Sequence, residues 1–490
     1  MATNVALNLF GQLAPALAAA IAMPFLVRGL GAERLGVLSL AWVAVGAFTL
    51  LDFGLGRSLT LEVSTRVAVG ELAAIPVVVQ GTLMLLAIVG LAGAGVLALS
   101  GPWLIETLAV PGALVPEVRL AVLGVCVAAP FMTVSAGLRG VLEAFGRFDL
   151  SNIVRVPLGV LTYVGPALAL PFTHSVAVSV GVLAVVRILG AAALFLLVRA
   201  HAGGGDRWQV EWRHLRTVVS TGMWMNVASM AGAVLAYVDR FILGAMLSLS
   251  AVAFYSTPQE LVGKLTVVPV ALSGVLFPAL SSARARASDE VAGLFSRGLT
   301  YTFALLVPAV AIAAALAPEW IDLWLGSEFA RESAHAVQWL LLSVLLQSLA
   351  ITPLNLLQAV GHAQVTAWLQ VIQLPLFVAA MWYAVSVAGI TGAAFVWAAR
   401  MLLDLTLSLT MSHRFAPAVA QSIRPWTLVV PLTVAWFITL AALTSLPARG
   451  ALLAFGLAAF AAFLPRLIGA EDLHYLRGLA TRRFRGQPRI

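Results

Sequence analysis

The chain of 490 residues is 61% hydrophobic and only 10% charged, with a formal net charge of +8. A soluble domain carries about 25% charged residues, so this composition excludes a water-soluble globular protein. The basic residues are scattered over many short loops, which excludes a compact nucleic-acid-binding surface and reads as the positive-inside bias of a membrane protein.

A helix that crosses a bilayer takes roughly 20 mostly apolar residues. In chain order that rule predicts fourteen spans, the first six near 5–28, 36–56, 73–99, 119–140, 153–173 and 176–199. Six more follow near 217–245, 252–280, 299–325, 336–360, 365–387 and 389–412, and two last ones near 426–446 and 450–469. Uninterrupted runs such as Leu83 to Leu99 exclude a β-barrel, whose strands are about ten residues of strict alternation. The expected fold is therefore all-α: a polytopic membrane protein of about fourteen transmembrane helices, two pseudo-symmetric six-helix lobes plus two C-terminal helices.

The lobe division rests on His201 to Arg216, the one long polar stretch in the first two thirds, where Gly203, Gly204 and Gly205 make a flexible linker. It separates an N-terminal lobe, 1–200, from a C-terminal lobe, 217–412, with two further spans over 413–469 and a basic tail over 470–490 expected at anionic lipid headgroups. The lobes look related. "LEAFGRFD" at 142–149 resembles "LQAVGHAQ" at 357–364, Pro157 matches Pro375, "ERLGVLSLA" at 33–41 resembles 250–258, and Arg187 falls opposite Arg400, all at offsets of 213 to 218. An even number of spans per lobe makes this a parallel repeat, an architecture suited to alternating access.

With the N-terminus inside, about twenty of the 29 Lys and Arg fall in even-numbered loops and the tail, among them Arg57 and Arg66, then Arg139, Arg147 and Arg155. The outer loops hold Glu106, Glu117, Glu319, Glu328 and Glu332 instead. Both termini are thus expected in the cytoplasm.

An ionisable group inside the bilayer costs about 2.5–3.5 kcal/mol even on lenient scales, so such groups mark function or face the bundle interior. They are Arg187, Asp239, Arg240, Glu260, Lys264, Arg400 and Asp404. Lys264 is the chain's only lysine, with Glu260 at i−4, and Arg400 and Asp404 repeat that spacing. Arg187 has no carboxylate three or four residues away, so its partner must be another helix, water or a substrate. Arg240 is near the outer end of its span, where snorkelling is open to it. Cations from both lobes suit an anionic substrate, since Arg binds phosphate bidentately and Lys as a point charge. Asp52, Asp239, Glu260 and Asp404 are the carboxylates that can carry a coupling proton or sodium ion; no other cofactor or metal site is expected.

Several segments resemble a known family. The first two spans carry "LVRGLGAERLGVLSLA" (26–41) and "LLDFGLGRSL" (50–59), span four is followed by "LEAFGRFDLSNIVR" (142–155), and the second lobe opens with "GMWMNVASMAGAVLAYVDRFILGAMLSLSAVAFYSTPQELVGKL" (222–265). These resemble the polysaccharide-flippase branch of the multidrug/oligosaccharidyl-lipid/polysaccharide exporter superfamily, through about residue 412. The resemblance implies a flippase of the bacterial cytoplasmic membrane that moves an undecaprenyl-diphosphate-linked oligosaccharide to the outer leaflet for cell-surface polysaccharide biosynthesis. It also implies membrane lipids and the polysaccharide polymerase machinery as partners. A multidrug exporter or a lipid-linked peptidoglycan-precursor exporter of the same superfamily is the alternative.

Such a substrate needs a cationic wet cavity for its diphosphate, to which Arg187, Arg240, Lys264 and Arg400 are assigned, and flat rings for its sugars, to which Trp224 and Tyr255 are assigned. A membrane glycosyltransferase or polymerase would need a folded outer loop, and the stretches 101–118 and 326–335 fall short of the roughly 40–60 residues of a small domain. No catalytic constellation is present, so no enzyme is expected, and no Walker A segment suggests ATP drive.

Overall fold

Hydrocarbon offers no partner to a backbone N–H or C=O, so each apolar run must satisfy its own backbone, and every run here does so as a helix. The computed structural model describes residues 2–50, 52, 54–71, 74–202, 232, 234–285 and 290–467, and among these no strand occurs. The helices are α1 (Ala2–Leu50), α2 (Leu55–Val69), α3 (Ile75–Thr107), α4 (Val115–Ala144), α5 (Phe148–Ala169) and α6 (Val176–Ala202). After α7 (234–246) come α8 (Leu249–Gly263), α9 (Val267–Ala285), α10 (Glu290–Ala315), α11 (Ala317–Leu325), α12 (Ser327–Ala359) and α13 (Ala363–Phe415). The chain continues through α14 (Ala420–Ile423), α15 (Trp426–Ala442) and α16 (Leu446–Leu467).

Ten helical stretches are long and apolar enough to cross a membrane, and the bent pair Pro417–Ile423 and Trp426–Ala442 makes an eleventh. Two of the ten, of 57 and 52 residues, are far longer than one crossing needs. Each is broken where a glycine adopts a left-handed φ: Gly31 (φ 72°) in α1 and Gly389 (φ 56°) in α13. Each is therefore long enough for two spans. The protein is a multi-pass membrane protein, and the breaks fall at or beside the boundaries of the expected spans.

By packing, the chain forms two compact units, one of residues 1–264 with 367–396, the other of 265–366 with 397–490. These differ from the lobes expected on either side of the linker, because α7 and α8 pack with the helices before them. Close backbone approach permits it. A side chain at Gly36 would collide with the Leu249 carbonyl, and one at Gly46 with the Tyr237 hydroxyl. The linker from 203 onward and the tail over 470–490 lie outside the described residues.

In the first unit, fully buried Leu59, Ile75, Leu86, Leu138, Leu142 and Leu194 join α2, α3, α4 and α6. Glu117, in the first turn of α4, accepts from Arg34 at 2.9 Å, from Ser175 at 3.0 Å and from the Val176 backbone N–H at 2.9 Å, tying three span ends together. In the second unit α12 is the central helix, with 78% of its apolar window buried, against 6% for α16. The hydroxyls of Ser343 and Ser348 on α12 return to carbonyls of their own helix at 2.6 Å, which keeps buried polar groups satisfied.

Candidate functional site

The intramembrane site of the first unit is built on α5. Thr162 and Tyr163 are adjacent in sequence and therefore about 100° apart on the helix, so they reach different neighbours. The Tyr163 hydroxyl donates to Glu260 at 2.9 Å and lies 3.5 Å from the Lys264 ammonium. Glu260 and Lys264 are one turn apart, 3.8 Å between charged atoms, and the Lys264 ammonium also sits 5.7 Å from the centre of the Tyr163 ring. Lys264 closes α8, where the helix dipole favours a cation. Both charges stay partly open, at 33% and 26% side-chain exposure, so the pair is not sealed away.

On the other side of the same two residues, Arg187 of α6 donates to the Thr162 hydroxyl at 2.8 Å, while its Nε is buried without a hydrogen-bond partner. Trp42 donates to the Thr162 carbonyl at 3.2 Å and packs on Tyr163 with ring centroids 5.3 Å apart. Arg139 of α4 lies within electrostatic range of Arg187. The structure thus brings together Arg187, Glu260 and Lys264, three of the residues singled out in the sequence. It adds Tyr163, Thr162, Trp42 and Arg139. A tyrosine in the middle of a predicted span was the available signal for the first of these. Trp42 carries the same signal, an aromatic within a predicted span, and nothing local marks Thr162 or Arg139.

Asp239, Arg240 and Tyr255 form a buried group, with Arg240 within electrostatic range of Glu260. Asp239 and Tyr255 have no exposed surface and Arg240 only 6%. The Tyr255 hydroxyl donates to Asp239 at 3.0 Å, and Arg240 donates to the other Asp239 oxygen at 3.4 Å and to the Ala236 carbonyl at 2.7 Å. Three expectations are corrected here. Arg240 does not snorkel to the interface or face a substrate, the Tyr255 ring is not available to a sugar, and the Asp239 carboxylate is fully engaged. A buried charge demands a partner and hydrogen bonds, and these three side chains supply them to one another.

The Asp52 carboxylate accepts from the backbone N–H groups of Gly54 at 3.0 Å and Gly56 at 3.3 Å, at the start of α2. In the second unit Arg400 and Asp404 are 3.7 Å apart on α13, with Arg400 over the Trp397 ring at 5.2 Å. Trp224 lies outside the described residues.

The chain is similar to a putative O-antigen transporter of Shigella flexneri, 26% identical over 411 residues that cover 82% of this chain and 96% of that protein. Its fold is like that of an inward-facing multidrug-resistance transporter of the MATE family, with a TM-score of 0.70 at 15% identity over 83% of this chain and 95% of that one. It is also like that of the lipid II flippase MurJ in an inward closed conformation, with a TM-score of 0.68 at 10% identity over 95% and 99%. At these identities the two likenesses concern the fold alone. The family described as polysaccharide biosynthesis protein matches residues 1–284, more than half of the sequence, and takes in every residue of the Tyr163 site. The chain is a member of that polysaccharide biosynthesis protein family.

Proposed function

We propose that the protein is a flippase that carries undecaprenyl-diphosphate-linked oligosaccharide units across the bacterial cytoplasmic membrane for cell-surface polysaccharide biosynthesis. One observation carries the reading. Within spanning helices Arg187 and Lys264 meet around Thr162 and Tyr163 with one carboxylate, Glu260, and Arg139 acts on Arg187 from α4. Cations in excess inside a membrane suit a doubly phosphorylated substrate, to which Arg gives paired charge-assisted hydrogen bonds. A multidrug exporter for cationic compounds calls for the opposite balance. The family and the O-antigen relative support the same reading.

In this scheme Arg187 and Lys264 hold the diphosphate and Trp42 and Tyr163 flank it. Arg400 is the cation contributed by the second lobe, and the repeat at offsets of 213 to 218 underlies alternating access. Glu260 and Asp404, each beside a cation, are the carboxylates through which a proton or sodium gradient acts. Both termini face the cytoplasm, the basic tail meets lipid headgroups, and the polysaccharide polymerase machinery is the expected partner. The role is transport without catalysis.

The test is movement of a fluorescent undecaprenyl-diphosphate oligosaccharide between leaflets of liposomes containing the purified protein. Wild type is expected to move it, and Arg187→Ala and Lys264→Gln to lose that ability while remaining folded. Transport unchanged in both variants would return these cations to a structural role, and folded wild-type protein that moves nothing would sink the flippase reading.

A further inference from the structure

We infer that the first unit holds a second anion site, a polar pocket between the start of α2 and the end of α4, that receives the diphosphate of the substrate before the Tyr163 site does. Its substrate class rests on the flippase reading above; its existence as a phosphate-binding pocket does not. The cavity measures about 360 Å³, within the roughly 300–1,000 Å³ of small-molecule sites. Three guanidinium groups line it: Arg57 from the first turn of α2, Arg139 from α4 and Arg155 from α5.

Two carboxylates line it too, but both are occupied. Asp52 accepts from backbone N–H groups at the start of α2, and Glu143 accepts from the Ser151 hydroxyl at 3.4 Å. Both carboxylates keep their charge, but the three guanidinium groups outnumber them and the lining stays net positive. Its frame is also fixed. Any side chain at Gly140 would collide with the Thr60 hydroxyl and meet the Gly56 carbonyl at 2.9 Å, so α2 and α4 touch through glycine and hold Arg57 and Arg139 on either side of that contact. Gly11 of α1 likewise leaves room for the Arg155 guanidinium, 3.3 Å from where a side chain would begin.

Arg139 joins this pocket to the site already described. It interacts electrostatically with Glu143, Arg155 and Asp52 in the pocket, and with Arg187 beyond it. Arg57 and Arg155, then Arg139, then Arg187 make a file of cations along the unit. A diphosphate following it keeps an arginine partner at each stage and is never left bare in a low-dielectric interior, where an unpaired charge is costly. The pocket lies at the helix ends next to the α1–α2 and α4–α5 connections, the side that carries the basic loops. That is the leaflet from which the flippase takes its substrate.

The experiment uses full-length protein in detergent, with inorganic pyrophosphate as probe, followed by calorimetry. The double variant Arg57→Gln/Arg155→Gln is expected to weaken pyrophosphate binding by about tenfold or more, the loss of about 1.4 kcal/mol. Arg57→Lys/Arg155→Lys is expected to recover part of it, and Arg147→Gln, which changes an exposed arginine of the same connection, to leave it unchanged. Thermal unfolding verifies that each variant is folded. In liposomes the Gln double variant should raise KM for the lipid-linked substrate with kcat largely kept, whereas Arg187→Ala lowers kcat. Pyrophosphate binding that is equal in wild type and the Gln double variant overturns the pocket. If phosphatidylglycerol displaces pyrophosphate as well as undecaprenyl diphosphate does, the pocket is a general headgroup site and the intake role falls. Loss of pyrophosphate binding in the double variant beside a wild type that moves no substrate would uphold the pocket and overturn the flippase reading alone.

Discussion

The two packing units accommodate their charges differently. In the first, charges from α6 and α8 converge through side chains on α5, and the polar pocket at the end of α4 is rimmed by arginines. In the second, Arg400 pairs with Asp404 one turn on, and Arg449 of α16 pairs with Glu319 of α11 at 2.6 Å and donates to the Ala315 carbonyl at 2.6 Å. The second unit's cavity is apolar, about 410 Å³ lined by residues such as Phe303, Trp436, Phe455 and Phe463. Shared, partly open charges are more available to a ligand than paired charges that are more deeply buried. Proximity to a membrane centre alone therefore does not identify a transport residue; its partner does.

The sharpest way to break this contrast is at Asp239, which lies in the first unit yet behaves as a sealed pair. Asp239→Ala should destabilise the protein by about 3–5 kcal/mol, because it strands a buried Arg240 and the Tyr255 hydroxyl. Replacing the pair together, Asp239→Leu with Arg240→Met, should recover most of that loss. Thermal or denaturant unfolding in detergent reads both, and a double variant as unstable as the single one would mean that the charges do more than neutralise each other.

Next in size is the difference between Arg187 and Arg400. Arg187→Gln removes a charged partner of the diphosphate, so transport should fall by about tenfold or more, since hydrogen bonds to charged groups are worth about 1.5–3 kcal/mol. Its unfolding midpoint should move little, because Nε has no partner to lose. Arg400→Gln should reduce transport by a smaller factor, since Asp404 already competes for that guanidinium. Equal losses in the liposome assay would erase the distinction between the units.

Tyr163→Phe should cost about 1 kcal/mol of stability by removing one hydroxyl that serves Glu260 and Lys264, and should slow transport with substrate affinity largely retained. The smallest effect is expected at Arg34, whose pair with Glu117 is 36% and 22% exposed. Arg34→Gln should cost less than about 1 kcal/mol, as exposed ion pairs do, and should leave leaflet-to-leaflet movement intact.

Some of the site was legible because helix geometry alone fixes it. Glu260 with Lys264, and Arg400 with Asp404, are neighbours in any helix, whatever surrounds it. Arg187 was legible as a residue that needs a partner, though not as one that finds it in Thr162. Asp239 with Tyr255 was not legible, since 16 residues and a turn between two helices separate them. Neither was Tyr163, which is 97 residues from Glu260. Arg57, Arg139 and Arg155 read in the sequence as an inside-facing topology signal, and only their gathering around one cavity gives them a second meaning.

The sequence by itself determined the spans, the family and the positions of the membrane's ionisable residues. Those depend on each segment satisfying its own backbone in hydrocarbon, a requirement local to twenty or so residues. Tertiary structure decided which charges are sealed and which are shared. That turns on the approach of helices distant in sequence, at Gly36 against Leu249 or Gly140 against Gly56, and on the partners each buried charge meets there.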